Sequence, residues 1–579
     1  MSLAALADDS KLAPELRGIA PNARVRVIVQ YKQAPPSGGL LQGLLSPVLN
    51  VVGDLVQAIP LVNGIVTTLN CNDLLQLSNQ SNVLYISSDR PLGRLSSSAA
   101  PAIYAQSAWN AGYTGKGVGV AVIDSGIGAS NDLGGSGRGA SRVVYSQSFV
   151  PGTSSAMDQF GHGTHVAGLI AGNGANSSGP SYFQTFKGIA PGANLVNLRV
   201  LDQNGAGTDS QVIAAIAEAI ALKSKYNIRV INLSLGRPVY ESYKLDPLCQ
   251  AVEAAWHAGI VVVVAAGNEG RDNTFGTNGY GTITSPGNDP YALTVGAMND
   301  KGTPDRSDDV MASYSSKGPT AVDHIVKPDL VAPGNQLVSL RTQGTLESEY
   351  PQGNVPLFDY VVGGSSAPSS SYFVLNGTSM ATGVVSGAVA DLLQAHPTLT
   401  PDQVKARLMK TASKTFPKSS SVTDETTGIT YTDYYDVFTV GAGYLDMKAA
   451  MADNSVSNKP AMSPTAQQDA RTGNAYFVKD SSSLWGSSAL WGSASIWGSA
   501  RFTTSQSALW GSGALWGSSA LWGSGTTTGS SALWGSGALW GSSALWGSSA
   551  LWGSSSLWGS GSTSASGALW GSSVLGDGD

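Results

Sequence analysis

Ser379 stands in a setting where a hydroxyl group can act as a nucleophile. The residues from Met380 onward are small and apolar as far as Pro397, which predicts a buried helix beginning near Ser379. The free N–H groups and the dipole at a helix start stabilise negative charge that develops beside the serine oxygen. An ordinary N-cap serine fits the same pattern, so the assignment depends on a base elsewhere in the chain.

Five histidines are available as the base that a serine nucleophile needs. Two of them, His162 and His165, lie in Gly161-His-Gly-Thr-His-Val-Ala-Gly168, where the sequence turns helical. The glycines allow backbone and substrate to approach closely, so we expect His162 at or just before a helix start. A metal site at the two histidines is the alternative, but no third ligand stands at the usual zinc spacing.

The elements that must position these residues alternate between β and α from about Trp109. Short, uniformly apolar runs are typical of strands that are buried on both faces of a parallel sheet. The predicted strands are 117–124, 193–202, 229–235 and 260–268, and the predicted helices are 210–226 and 248–258. We therefore expect an α/β fold with a doubly wound, mainly parallel sheet. Ligands bind at the carboxyl ends of the strands in such folds, where Asp124 and Asn268 stand.

Composition narrows the class of function. The chain has 579 residues and a formal net charge of −6 without a Lys/Arg cluster, so nothing indicates a nucleic-acid partner. No apolar run is long enough to span a membrane, and the N-terminus lacks the basic start and the apolar core of a signal peptide. Cys71 and Cys249 match neither a disulfide framework nor a metal spacing.

Four motifs, taken together and in order, resemble the signatures of subtilisin-like serine proteases. They are Val122-Ile-Asp-Ser-Gly126, Gly161-His-Gly-Thr-His-Val-Ala-Gly168, Ala265-Ala-Gly-Asn-Glu-Gly270 and Asn376-Gly-Thr-Ser-Met-Ala381. Their order of Asp, His and Ser is that of subtilisin. The resemblance covers roughly residues 105–450 and implies a subtilisin-like fold and a serine endopeptidase that works through an acyl-enzyme.

The resemblance also assigns roles to single residues. It implies that Ser379 attacks the scissile carbonyl, that His162 takes and returns the proton, and that Asp124 holds the imidazole in the useful tautomer. The Asn268 carboxamide and the Ser379 N–H would form the oxyanion hole. No cofactor is expected for the chemistry. Asp132 stands close to the spacing of a calcium ligand in the family, so a structural calcium is an open expectation.

An extended protein or peptide substrate is expected, by the same resemblance, to pair with Leu201–Gly207 and Ser234–Gly236 through strand addition. The expected walls of the primary pocket are Ser234, Leu235 and Gly236 on one side and Ala265, Ala266 and Gly267 on the other. Neither wall contains an acidic residue, which favours an apolar or broad preference. The connection from Gly334 to Asn376 is long for this family and is expected to lie near the cleft.

Four regions are expected along the chain. They are a small α+β module at 1–98, the catalytic domain at 99–455, a linker at 456–481 and a repeat region at 482–575. The front module resembles the inhibitory propeptide of such enzymes, so it would be an intramolecular inhibitor. Its removal by self-processing would cut the polar stretch between Asp89 and Pro101.

The repeat Ser-Ala-Leu-Trp-Gly-Ser, with variations, dominates the region 482–575 and contains twelve of the fourteen tryptophans. Its even spacing places the tryptophans of a block on one face of a β-strand. We expect either a β-solenoid, because stacked repeats bury their faces, or a disordered Gly/Ser linker. The expected partner of this aromatic surface is glycan or cell wall, or another copy of the protein.

Two classes of function follow. The first is a secreted endopeptidase, acting outside the cell or at its surface and made as a self-processing zymogen. The second is a catalytically dead scaffold that serves as a cell-surface binding or adhesion protein through its Trp-rich repeats. The intact set of Asp124, His162, Asn268 and Ser379 favours the first class, because a scaffold does not need all four.

Overall fold

The computed structural model divides the chain into two compact units. The first comprises Met1–Arg94, Ser177–Thr185 and Pro356–Pro368, and the second comprises Leu95–Asn176, Phe186–Val355 and Ser369–Asp579. The residues that the structure describes are 8–13, 16–17, 24–33, 57–59, 63–88, 99–135, 140–274, 277–424, 427–456, 459–468, 475–477 and a set of short strands between 520 and 576. The boundary after Arg94 lies close to the expected boundary at 98, but Ser177–Thr185 and Pro356–Pro368 also group with the first unit.

The first unit contains an antiparallel sheet and a helix. Its elements are β1 (Arg24–Tyr31), β2 (Gln57–Ile59), β3 (Gly64–Asn70), α1 (Cys71–Ser78) and β4 (Val83–Ser88). The strand order is β2-β3-β1-β4. Buried apolar residues of the strands and the helix, among them Val27, Ile65 and Leu74, form its core. This is an α+β module of the kind the sequence predicts. Of the stretch between Asp89 and Pro101 where cleavage is expected, residues 89–98 lie outside the described residues.

A mainly parallel sheet forms the centre of the second unit. Its strands are β5 (Gly119–Asp124), β6 (Val143–Ser148), β7 (Asn194–Arg199), β8 (Ile228–Leu233), β9 (Val261–Ala265), β10 (Leu293–Asn299), β11 (Val310–Met311) and β12 (Leu330–Pro333). The order is β11-β10-β9-β8-β5-β7-β6, and β12 also pairs with β10. All described pairs in this sheet are parallel except β10 with β11.

Helices cover this sheet in two packed pairs. The helices of the unit are α2 (Ala99–Ala102), α3 (Gln106–Asn110), α4 (His162–Ala171), α5 (Asp209–Tyr226), α6 (Pro247–His257), α7 (Thr345–Glu349), α8 (Thr378–Ala395), α9 (Pro401–Thr411), α10 (Val437–Val440) and α11 (Met447–Ala452). Helix α4 packs on α8, α5 packs on α6, and both pairs contact the sheet. The predicted doubly wound α/β fold is confirmed. None of the helices in the described ranges has both the length and the apolar character needed to span a bilayer.

The long connection from Gly334 to Asn376 folds into a small sheet and α7. The smaller strands of the unit are β13 (Leu337–Leu340), β14 (Asn354–Pro356), β15 (Pro368–Leu375), β16 (Ser419–Thr423), β17 (Thr430–Tyr434), β18 (Ala466–Gln468) and β19 (Ala475–Phe477). The order β13-β15-β14 makes one sheet, and β16 pairs with β17 as a hairpin. Strand β13 packs on α4, so the insertion supports the helix that begins with His162.

Residues 461–468, which we call the strap, pack against other parts of the second unit. Ser463 is buried and its N–H donates to the Pro290 carbonyl at 2.8 Å. The Val326 N–H donates to the Pro464 carbonyl at 2.8 Å. The linker expected at 456–481 therefore begins later than the sequence suggests. A short run of small and polar residues has no periodicity from which such docking could be predicted.

The described part of the repeat region consists of short parallel strands. They are β20 (Ala520–Trp522), β21 (Gly525–Thr528), β22 (Ala532–Trp534), β23 (Gly537–Trp540), β24 (Ser543–Trp546), β25 (Ala550–Trp552), β26 (Ser555–Trp558), β27 (Thr563–Ser564), β28 (Leu569–Trp570) and β29 (Ser573–Gly576). Each strand from β20 to β26 pairs with the third strand after it, so Trp522, Trp540 and Trp558 share one register position. This is the backbone geometry of a solenoid with three strands per coil. The repeats at 482–519 lie outside the described residues.

Candidate active site

Asp124 and His162 meet at the carboxyl edge of the parallel sheet. Asp124 is the fully buried last residue of β5, and His162 is the first residue of α4. Asp124 Oδ1 lies 2.8 Å from His162 Nδ1 and accepts the Ser125 N–H at 2.7 Å. Since an ionised carboxylate only accepts hydrogen bonds, Nδ1 carries the proton and Nε2 keeps its lone pair. The ring is thus in the tautomer that a general base requires.

Two glycines allow this close approach. Gly161 precedes α4 with φ at +111°, a backbone conformation that favours glycine. A Cβ atom on Gly163 would lie 2.3 Å from the Gly126 carbonyl oxygen and 3.1 Å from Asp124 Cβ. Any side chain at Gly163 would therefore push α4 away from the end of β5. The glycines on both sides of His162 help to set its distance from Asp124.

The two neighbouring histidines have opposite electrostatic surroundings. Burial lowers the pKa of His162, but the Asp124 carboxylate and, more weakly, Asp158 outweigh this effect and raise that pKa above its ordinary value. Burial lowers the pKa of His165 to about 3, so that ring stays neutral. The Nε2 atom of His165 lies 3.1 Å from a backbone carbonyl oxygen of Leu337. His165 therefore supports the insertion, and His162 is the candidate base.

Ser379 is the second residue of α8 and is 9% exposed. Its hydroxyl donates to the Ser234 carbonyl at 3.1 Å, and the Ser234 hydroxyl donates to the Ser379 carbonyl at 2.8 Å. Among the described residues, Ser379 makes no hydrogen bond with His162. Catalytic hydrogen bonds are often long before substrate binds, so this geometry keeps Ser379 as the candidate nucleophile. To reach His162, the hydroxyl must leave the Ser234 carbonyl.

Thr378 fixes the orientation of the Asn268 carboxamide. The backbone N–H and the hydroxyl of Thr378 donate to Asn268 Oδ1 at 2.9 and 3.0 Å. Because a backbone N–H can only donate, the amide oxygen faces Thr378 and the NH₂ group is left to donate elsewhere. The Ser379 N–H lies in the first turn of α8, where helices lack internal acceptors. These two donors suit an oxyanion. Sequence reasoning missed Thr378, although it lies within the serine motif.

The expected walls of the primary pocket meet at Thr284. The Thr284 N–H donates to the Ala266 carbonyl at 3.1 Å. A Cβ atom on Gly236 would lie 2.6 Å from Thr284 Oγ1, and one on Gly267 would lie 2.8 Å from its Cγ2. Thr284 thus contacts both walls, the one with Ser234, Leu235 and Gly236 and the one with Ala265, Ala266 and Gly267. Thr284 lies outside the four motifs, so nothing in the sequence indicated its place in the site.

Asp132 makes its hydrogen bonds with residues outside the candidate active site. Its buried carboxylate accepts the Asn176 N–H at 2.6 Å on Oδ1 and the Tyr372 hydroxyl at 2.8 Å on Oδ2. Burial raises the pKa of Asp132 in spite of these hydrogen bonds. Both oxygens serve N–H or O–H donors, and in the described part of the chain no three His, Cys, Asp or Glu side chains could hold a metal ion. Calcium also binds through backbone carbonyls, Asn and Gln side chains and water, so a calcium ion at Asp132 stays a prediction.

Comparisons with known proteins found a matching family model and similar sequences. A family model described as "Subtilase family" matches residues 115–442, which include Asp124, His162, Asn268 and Ser379. Serine protease AprX of Bacillus subtilis (strain 168) is 38% identical over 349 residues, covering 58% of this chain and 71% of the relative. Subtilisin E of the same organism is 36% identical over 363 residues, covering 61% and 76%. A subtilisin of Bacillus pumilus is 38% identical over 316 residues, covering 54% and 88%.

Proposed function

The chain belongs to the subtilase family and is a serine-type endopeptidase, and on this premise we propose that Asp124, His162 and Ser379 carry out peptide-bond hydrolysis. The contact of 2.8 Å between Asp124 and His162 is the observation that carries the proposal. Ser379 at the start of α8 supports it, because a helix N-terminus favours a developing oxyanion. Loss of hydrolysis in a Ser379→Ala variant is the test.

The proposed reaction proceeds through an acyl-enzyme. The Ser379 oxygen attacks the carbonyl carbon while His162 Nε2 takes the hydroxyl proton. Asp124 stabilises the imidazolium, and the Asn268 NH₂ group and the Ser379 N–H stabilise the oxyanion. When the carbon–nitrogen bond breaks, His162 gives its proton to the leaving amine and an ester remains on Ser379. Water, activated by His162, then hydrolyses this ester.

Substrate recognition is proposed to use the backbone of two segments. An extended protein or peptide would pair with Leu201–Gly207 and with Ser234–Gly236, which is directly linked to Ser379 through Ser234. The small residues Ala265, Ala266 and Gly267 line the primary pocket in this proposal and suit an apolar or broad preference. Rates for peptides that differ only in the residue before the scissile bond test this assignment.

The front module, residues 1–98, is proposed to be an inhibitory propeptide that the enzyme removes itself. Its α+β fold and its position before the catalytic unit support this role. Mass spectrometry of the purified precursor should show a cut between Asp89 and Pro101 in the wild type. The same precursor carrying Ser379→Ala should stay intact. Cleavage at the same place in that variant would assign the processing to another protease.

The place of action is proposed to be outside the cell or at its surface. This follows from the resemblance to secreted subtilases, and the tryptophan repeats would then contact glycan, cell wall or a second copy. Fractionation of the producing cells tests the location. The alternative, a dead scaffold that binds through its repeats, predicts that purified protein binds such material and never hydrolyses a peptide.

A further inference from the structure

The Asp158 carboxylate lies beside the Asp124–His162 pair, and its hydrogen bonds go to other residues. It belongs to the loop before α4 and is only 6% exposed. Burying an ionised carboxylate is unfavourable unless hydrogen bonds replace its water. Asp158 accepts five such bonds, all from residues that flank the pair. These hydrogen bonds therefore compensate for the burial of the Asp158 carboxylate and link it to the residues around Asp124 and His162.

One oxygen of Asp158 connects the two sides of the site. Asp158 Oδ1 accepts the Ser125 hydroxyl at 2.9 Å and the Gly161 N–H at 2.8 Å. The Ser125 oxygen in turn accepts the Gly163 N–H at 2.9 Å. Ser125 follows Asp124, whereas Gly161 and Gly163 stand on either side of His162. This oxygen therefore ties the end of β5 to the first turn of α4.

The second oxygen holds the helix itself. Asp158 Oδ2 accepts the N–H of Thr164 at 2.8 Å and its hydroxyl at 2.6 Å. The Thr164 hydroxyl also accepts the Gly128 N–H at 2.8 Å. Asp158 thus caps α4 and fixes it to the turn that follows β5. Together the two oxygens leave α4 little freedom to move relative to Asp124.

We propose that Asp158 is a positioning residue of the peptidase, which holds His162 in register with Asp124 by way of Ser125, Gly161 and Thr164. Because this inference rests on the proposed role of His162 as base, the two must be tested separately. A misplacement of about 1 Å at a reacting group can reduce turnover about a hundredfold, so such a network affects turnover more than substrate affinity.

The negative charge of Asp158 has a second, electrostatic effect, which is on the pKa of His162. Asp124 and Asp158 both raise the pKa of His162, against the lowering effect of burial. Other ionisable groups near the pair are His165, whose pKa is lowered to about 3, and Glu347 of α7, which lies beside Gly161. Arg199 lies beside the Asp158 loop and donates to the Met157 carbonyl at 3.0 Å. Glu347 forms an ion pair of 2.6 Å with Arg341. Removing the Asp158 charge should therefore lower the pKa of His162.

Two variants separate position from charge. Asp158→Asn keeps the shape but replaces one acceptor oxygen by an NH₂ donor, so either Thr164 or the Ser125–Gly161 side loses its acceptor. We expect kcat to fall about tenfold or more with KM changed less than about twofold, and the acid limb of kcat/KM to move to lower pH. Ser125→Ala keeps the charge, so kcat should fall while the acid limb stays in place.

Asp446→Asn is the matched control, because Asp446 caps α11 by accepting the Ala449 N–H at 2.8 Å. It should lower stability and leave kcat and the acid limb unchanged. Wild-type kcat in Asp158→Asn would overturn the positioning role, and a fall in kcat without movement of the acid limb would overturn the effect of the Asp158 charge on His162. If Asp158→Asn does not fold, wild-type kcat in Ser125→Ala overturns it. Undiminished hydrolysis in Ser379→Ala would instead overturn the proposed function.

Discussion

His162 can act as a base only while its ring is neutral, and its neighbours determine the pH range in which it is. Burial favours the neutral ring, but the charges of Asp124 and Asp158 favour the protonated ring and outweigh burial. The pKa of His162 therefore lies above 6.5, the ordinary value of an imidazole. In the proposed mechanism, protonated His162 cannot take the proton of Ser379, so we expect activity to fall on the acid side of this pKa.

We predict that kcat/KM rises with pH through a midpoint above 6.5 and then levels off. The measurement is a pH profile with a small peptide substrate at constant ionic strength. In Asp124→Asn the residual activity should show a lower midpoint, because the main charge that raises the pKa is gone. A wild-type midpoint near about pH 4 would point to carboxylate chemistry instead.

At the scale of elements, the clip, residues Arg341–Glu349, holds the loop that precedes His162. The Thr345 N–H donates to the Gln159 carbonyl at 3.1 Å, and the Leu346 N–H donates to the Phe160 carbonyl at 2.9 Å. Buried Glu347 stabilises the clip by accepting from Arg341 at 2.6 Å and from the Thr342 N–H at 2.8 Å. The clip belongs to the long insertion, so it adds support for the base from outside the four motifs.

Glu347→Ala should lower the free energy of unfolding by about 3 kcal/mol, because it leaves Arg341 and two backbone N–H groups without their acceptor. It should also reduce kcat, because the loop before His162 loses its support. Denaturant unfolding and peptide hydrolysis measure the two effects. Glu349→Ala, an exposed position on the same helix, is the matched control and should change neither. Equal effects in both variants would contradict this role of the clip.

A second prediction at the scale of elements concerns the contribution of the strap to stability. The Ser463 hydroxyl donates to Asp329 Oδ1 at 2.5 Å and accepts from Lys405 Nζ at 2.9 Å, and both charged groups are fully buried. A chain that ends at Pro460 loses these hydrogen bonds and should be less stable by about 3 kcal/mol or more than one ending at Gln468. Thermal unfolding of the two chains, with Ser463→Ala in the longer one, measures this. Equal stability of the two chains would contradict this role of the strap and would mean that residues 461–468 belong to the linker.

The sequence predicted the elements that carry an apolar pattern and missed those that do not. Strand β9 and helix α5 lie where periodicity placed them, because the sheet and its helices bury whole faces. The contacts of Asp158 and Thr284 depend on how loops meet in space, and no local pattern records that. The rotamer of Ser379, with its hydroxyl on Ser234, likewise follows from tertiary packing.

For the whole molecule, the repeat region should be separable from catalysis. The candidate active-site residues all lie between 124 and 379, and the strap ends at 468. Deleting 482–579 should therefore leave hydrolysis of a small peptide within about twofold of the full chain. Binding to insoluble cell-wall material or to other copies should be lost, because a row of tryptophans is an unfavourable surface to expose without a partner.

The control for this deletion is a full chain in which Trp534, Trp552 and Trp570, which share a register position, are all changed to Ala. It should keep hydrolysis and lose part of the binding. Pull-down on cell-wall material and sedimentation measure the two kinds of partner. A deletion that abolishes hydrolysis but keeps all binding would place the repeats within the catalytic fold and contradict this division.

The turnover of Ser379→Ala on a peptide substrate tests the central claim most directly. We predict a loss of about a millionfold in kcat, a magnitude taken over from the same substitution in subtilisin, a member of this family. Ser386→Ala, which removes another buried hydroxyl on α8, should keep turnover near that of the wild type. If Ser379→Ala hydrolyses the peptide at a rate near that of the wild type, Ser379 is not the nucleophile and the mechanism described here is wrong.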